Sequence, residues 1–167
     1  MLIVKDTMVL IHLEKLSILR ASCQHFGEIS IPPLVCQEVL VGKEKGAADA
    51  VIVEELINED RIQVKKITNA NLIRKACQFN IQGGEAEAVA LYWQEKADFI
   101  ATDDDNVRKK KMILDLHIIG TPAILMKLHK SKIIEKEKMM QCIDELKRIG
   151  WFSTVVIDTL RWEALNG

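Results

Sequence analysis

The chain has 167 residues, a length that suits a single compact domain. Apolar residues make up 49% and charged residues 28%, which is far from a disordered composition. With 23 basic against 24 acidic residues the net charge is −1, so no overall positive field draws nucleic acid, and any such attraction must come from a local patch.

No apolar run approaches the roughly 20 residues of a membrane span. Lys5, Asp6, Glu14 and Lys15 interrupt the start of the chain, where a signal peptide needs an unbroken apolar stretch. Cys23, Cys36, Cys77 and Cys142 are widely separated and form no CxxC pair, so four buried, reduced thiols and a cytoplasmic protein are expected.

In chain order, Leu2 to Val4 reads as a strand and Met8 to Leu19 as one helix. Glu28 to Ile31 is a second strand, and Pro32-Pro33 suits the first turn of a helix from Leu34 to about Val41. A helix over Ala47 to Leu56 and a strand over Arg61 to Ile67 follow. Helices over Ala70 to Phe79 and Glu85 to Lys96 are split by Gly83-Gly84. Asp98 to Thr102 is a strand, Val107 to Leu114 a helix, Leu116 to Ile119 a strand and Pro122 to His129 a helix. A long charged helix spans about Glu135 to Arg148, followed by a strand-like Trp151 to Ile157 and a last helix near Leu160 to Leu165. This alternation predicts an α/β three-layer sandwich around a mainly parallel sheet, with ligands outside the carboxyl ends of the strands.

Several acidic residues do not fit a bland fold, two sets of them after strands and two on helices. Asp6 directly follows the first strand, where it could cap the next helix. On a helix, Glu38 shares the apolar stripe of Leu34, Val35 and Val41, and a buried carboxylate there needs a partner. Glu85 has Ala88, Val89 and Tyr92 as its helical neighbours, which makes it a better inward carboxylate than Glu87. A first-turn acid also simply favours the helix dipole. Asp103-Asp104-Asp105 puts three like charges at a strand end. Capping by Asp105 or Asn106 accounts for one polar residue there and leaves the rest to a cation or solvent. Carboxylates without a nearby His or Cys pattern suit Mg²⁺ or Mn²⁺, and His12, His25, His117 and His129 show no zinc spacing. Arg108, Lys109, Lys110 and Lys111 follow directly, with Lys127, Lys130 and Lys132 further on. This run is either a solvated helix face or a phosphate track, which Lys65, Lys66, Arg74 and Lys75 could extend.

These segments together resemble the PIN-domain family over about residues 2–130. Asp6-Thr7 with Leu10-Ile11 and Leu13 resembles its opening "DTS-LI-L" motif, and Ile31-Pro32 through Glu38 its "IP-x-x-V-x-x-E" motif. Gly84-Glu85-Ala86-Glu87-Ala88 resembles "GExEA". Thr102-Asp103-Asp104 with Arg108, then Gly120-Thr121, resembles "TDD-x-x-x-R … GT". Met8 departs from the small polar residue usual after Asp-Thr. The resemblance implies catalytic and metal-binding roles for Asp6, Glu38, Glu85 and Asp103, an accessory metal contact from Asp104 and a supporting hydroxyl at Thr7. Arg108, Lys109 and Lys110 are the expected RNA contacts. It also implies an Mg²⁺- or Mn²⁺-dependent endoribonuclease, the toxin of a toxin–antitoxin pair, with a small antitoxin protein as partner and a homodimeric state. Residues 1–132 would form the catalytic domain and 133–167 a C-terminal helical and strand extension packed on it. A catalytically degenerate RNA- or protein-binding module is the alternative. An aspartate phosphatase is disfavoured, because Met8 stands where a second aspartate would be needed.

Overall fold

The computed structural model describes residues 1–46 and 48–167. Its centre is one sheet of five short strands, β1 (Leu2–Lys5), β2 (Glu28–Ile31), β3 (Ile62–Val64), β4 (Phe99–Ala101) and β5 (Ile118–Ile119). They lie in the order β3-β2-β1-β4-β5, and every pairing is parallel. Parallel strands are joined by crossovers that put helices on both faces, so short, continuously apolar strands are what such a sheet requires. Alternation decides which face each residue serves. Ile3 and Ala101 join the larger apolar cluster, while Val4 and Ile100 join the smaller one on the opposite face.

The helices are α1 (Thr7–Lys15), α2 (Leu19–Phe26), α3 (Pro33–Glu44), α4 (Ala48–Asn58) and α5 (Ala70–Gln78). Then come α6 (Gly83–Glu95), α7 (Asp105–Arg108), α8 (Thr121–Lys130), α9 (Lys136–Ile149) and α10 (Thr154–Asn166). The three-layer α/β architecture with its parallel sheet is as expected from the pattern. The strand order reverses at β1, from which β2 and β3 extend one way and β4 and β5 the other. In an open parallel sheet a crevice opens at that switch, outside the carboxyl ends of the two central strands. Asp6 follows β1 there, and Thr102-Asp103-Asp104 follows β4.

Several boundaries differ from the sequence reading. The expected helix from Met8 to Leu19 stops at Lys15, because Ser17 adopts φ 57, and α2 then starts at Leu19. Helix α2 lies outside the elements expected from the pattern, although Leu19, Ser22, Cys23 and Phe26 are buried at i, i+3, i+4 and i+7. Gly83-Gly84 forms the first turn of α6 rather than a break before it. Helix α7 lasts one turn, and turns carry the chain to Asp115 at φ 53, which shortens β5 to two residues. The predicted strand over Trp151 to Ile157 is a loop and the start of α10. The Ser153 hydroxyl caps that helix by accepting from the Val156 amide (3.3 Å), and burial of Ile157 and Leu160 overrides the β preference of Thr154-Val155-Val156. The predicted helix start at Ala47 lies outside the described residues. Of the four free cysteines only Cys23 and Cys142 are buried; Cys77 is exposed, because α5 turns it outward, and Cys36 is half-buried.

Helices α9 and α10 pack on each other and against α8. They add Met139, Cys142, Ile143, Leu146, Ile157, Leu160 and Ala164 to the same apolar cluster as Ile3 and Leu10.

Candidate active site

Asp6 is placed by two backbone constraints. Its amide donates to the Ala101 carbonyl (3.1 Å), extending the β1–β4 ladder by one residue. Its Oδ1 then caps α1, accepting from the Val9 amide (3.0 Å). That leaves Oδ2 buried and without a hydrogen-bond partner. Burial pushes the Asp6 carboxyl up to about 7, and the charges of Asp103 and Glu85 push the same way against the Thr102 hydroxyl and the Val9 amide. Helix capping and an unsatisfied oxygen therefore coexist on one side chain.

Glu38 reaches the same crevice from α3. Its carboxylate accepts from the Thr7 hydroxyl (2.5 Å) and from the Gly84 amide at the start of α6 (3.1 Å). The helices approach this closely because residue 84 has no side chain: a Cβ there would lie 2.7 Å from both Glu38 oxygens. One residue on, Glu85 is half-buried. Its carboxyl is raised first by burial, then by the charges of Asp104 and Glu38. Glu87 does something else, accepting from the Leu34 amide (2.8 Å) in the first turn of α3.

The two aspartates after β4 divide their tasks. Asp104, rather than Asp105 or Asn106, caps α7 by accepting from the Val107 amide (2.9 Å), since its extended backbone places the carboxylate over the helix start. Asp103 is buried and held by three donors: the Thr121 amide (2.7 Å), the Thr121 hydroxyl (2.5 Å) and His12 Nδ1 (2.7 Å). Its carbonyl oxygen accepts from the Trp151 indole N–H (3.0 Å). His12 is itself buried and meets the rings of Trp151 and Phe152 edge-on, each at 5.4 Å. The sequence alone does not single out His12, Trp151 or Phe152, because they belong to no ligand motif and lie far apart along the chain.

An oxygen-only donor set with one orphaned buried oxygen, and with Asp6 and Glu85 raised by burial and further by neighbouring carboxylates, fits a hard divalent cation. Among the described residues, no three His, Cys, Asp or Glu side chains are already drawn together as a coordination sphere. A family model of the PIN domain (DUF3368) matches residues 2–160. The chain belongs to the PIN-domain family. It is thereby placed in a nuclease superfamily whose members typically use divalent metals. No curated protein and no solved structure matches the chain.

The basic residues of this PIN domain are unequal. Arg108 Nη1 approaches the Thr102 carbonyl (3.4 Å) and sits over Gly120, where a Cβ would lie 2.7 Å from it. Lys109 and Lys111 line a cleft of about 300 Å³ with Arg108. Lys110 turns inward, its ammonium donating to the Phe79 carbonyl and the Asn106 side chain. Others in the expected track are engaged elsewhere: Lys65 pairs with Glu95 (3.2 Å), Lys130 with Glu163 (3.3 Å), and Lys75 lies over the Trp93 ring. No described helix is long and apolar enough to cross a membrane.

Proposed function

We propose that this PIN domain is an Mg²⁺- or Mn²⁺-dependent endoribonuclease whose site lies in the crevice between β1 and β4. The observation that carries this reading is the buried, unpartnered Oδ2 of Asp6, set among the carboxylates of Glu85 and Asp103. Asp6, Glu38, Glu85, Asp103 and Asp104 would hold the ion, directly or through water, with Glu38 oriented by Thr7 and by the Gly84 amide. A bound divalent ion supplies charge that polarises a phosphoryl oxygen and makes water acidic enough to attack. Asp103 is held in place by its bonds to Thr121 and His12, which tie the β4 end to α8 and α1. Arg108 and Lys109 bind the phosphodiester, while the inward Lys110 shapes the α7 turn. Water gives up a proton to solvent and attacks phosphorus in line, a P–O bond forms, the bond to the 3′ oxygen breaks, and that oxygen takes a proton from solvent, leaving 5′-phosphate and 3′-hydroxyl ends.

The same reading extends to the toxin of a toxin–antitoxin pair, with a small antitoxin as partner, and to a homodimer. Co-purification with the neighbouring gene product and light scattering test these two points. The main test is cleavage of mixed RNA with Mg²⁺ or Mn²⁺, using the wild type, Asp6→Asn and Asp103→Asn. Metal-dependent cutting that both substitutions reduce at least a hundredfold is expected. Tight RNA or metal binding without turnover by the wild type would replace the nuclease with a degenerate binding module.

A further inference from the structure

The loop between α9 and α10 adds a feature that the acidic crevice does not need for chemistry. Trp151 leaves 49% of its surface exposed, yet it is held from two sides. Its indole N–H is bonded to the Asp103 carbonyl, and its ring meets the edge of the buried His12. An aromatic ring that is both fixed and exposed offers contact area with little ordering cost. It borders a cavity of about 590 Å³ whose apolar wall also includes Pro122, Phe152 and Val156. That volume accommodates a nucleobase.

Charge divides this space. Asp105 and Arg108 line both the aromatic cavity and the cleft that contains Lys109 and Lys111. The aromatic cavity adds the carboxylate of Asp103 and no lysine, while the cleft adds Lys109 and Lys111, so the phosphate backbone of a bound strand belongs on the basic side and an uncharged base on the aromatic side. Arg108, held over Gly120 and without a carboxylate ion pair among the described residues, stands at the junction of the two. An acceptor such as Asp105 also favours a base that carries an exocyclic amino group.

We propose that the Gly150–Ser153 loop forms a nucleobase subsite beside the acidic crevice, in which one unpaired base of a single-stranded RNA stacks on the Trp151 indole while its phosphate lies along Arg108 and Lys109. This inference rests on the ribonuclease reading and deepens it, because it gives the C-terminal segment a part in choosing single-stranded substrate. Base stacking on an aromatic side chain is tolerant of sequence but needs a base.

The test uses full-length protein and a 12-nucleotide RNA centred on the principal cut mapped in the cleavage assay. Steady-state kinetics are compared for the wild type, Trp151→Ala and Trp151→Phe. Each is assayed on the intact RNA and on RNAs carrying one abasic residue at successive positions around the cut. Trp151→Ala is expected to lower kcat/KM about tenfold, mainly through KM, and Trp151→Phe to recover most of it. The deciding readout is coupling. At one abasic position the wild type loses a similar factor and Trp151→Ala loses almost nothing more. A wholly structural role for Trp151 would not depend on which base is missing. Should Trp151→Ala fold poorly, the wild type and Trp151→Phe on the abasic series still decide. Cleavage that is equally sensitive to Trp151→Ala on intact and abasic RNA overturns the subsite but leaves the nuclease standing, and assigns the cavity to a protein side chain. Absence of any cleavage by the wild type overturns both.

Discussion

Asp6 and its neighbour Lys5 show how adjacent residues in one strand end can carry opposite strains. Lys5 points to the α2 side, fully buried. Its ammonium donates to the Ser22 hydroxyl (2.9 Å), and burial lowers it to about 8. Asp6 points to the crevice, where burial raises it from 3.8 to about 7. A carboxyl raised in the folded state binds its proton more tightly there than in the unfolded chain. Its stabilising contribution is therefore present in full below pH 4 and is lost as pH rises towards 7. Glu14, raised to about 6, acts in the same direction. Thermal unfolding in EDTA is expected to show a Tm that falls from pH 5 to pH 7.5. Millimolar Mg²⁺ or Mn²⁺ should restore it at the upper end, because a cation that binds only the folded, ionised site adds its binding free energy to stability. A metal-free Tm that is flat or rises over that range would contradict the assignment of Asp6.

At the scale of elements, the proposed site is made by helix starts. Helices α1 and α7 begin on Asp6 and Asp104, each of which spends one oxygen on a cap and keeps the other. Helix α6 begins on two glycines, and the second allows its amide to reach Glu38. In an exposed helix interior, exchanging Gly for Ala stabilises by about 1 kcal/mol. Here the added Cβ would fall 2.7 Å from the Glu38 oxygens, so the carboxylate must turn away and lose the amide. Gly84→Ala is accordingly expected to keep or slightly raise the Tm while lowering RNA cleavage about tenfold, the equivalent of one lost hydrogen bond. Unchanged kinetics would show that Glu38 can serve from another rotamer.

Across the whole molecule, the C-terminal segment closes the large core and also touches the proposed site. Ending the chain after Ile149 would remove Ile157, Leu160 and Ala164 from the core and the Trp151 indole from Asp103. Uncovering the two larger side chains and their partners costs on the order of 5 kcal/mol, comparable to the whole stability of many domains. The truncated chain is expected to be unfolded at 37 °C by circular dichroism and quickly degraded by a nonspecific protease. A truncated chain with native-like cooperative melting would instead make residues 150–167 a detachable module.

Much of this was legible in the residues themselves. Short apolar segments between helical periods determined a parallel α/β sheet, since burial on both faces leaves no polar alternation to read. The resemblance of the motifs around Asp6, Glu38, Glu85 and Asp103-Asp104 to those of the PIN domain implied one acidic site, although these acids lie far apart along the chain. Local rules failed where distant groups decide. Thr154-Val155-Val156-Ile157 reads as a strand until a serine cap and the core under α10 make it helical. Lys110 reads like Lys109 until the Phe79 carbonyl takes it inward. Only the tertiary structure could show that Asp103 spends its oxygens on Thr121 and His12 while Asp6 keeps one unmet, or that Trp151, 48 residues further along the chain, bonds to Asp103. Those contacts depend on how the layers pack, and sequence spacing carries no record of packing between segments so far apart.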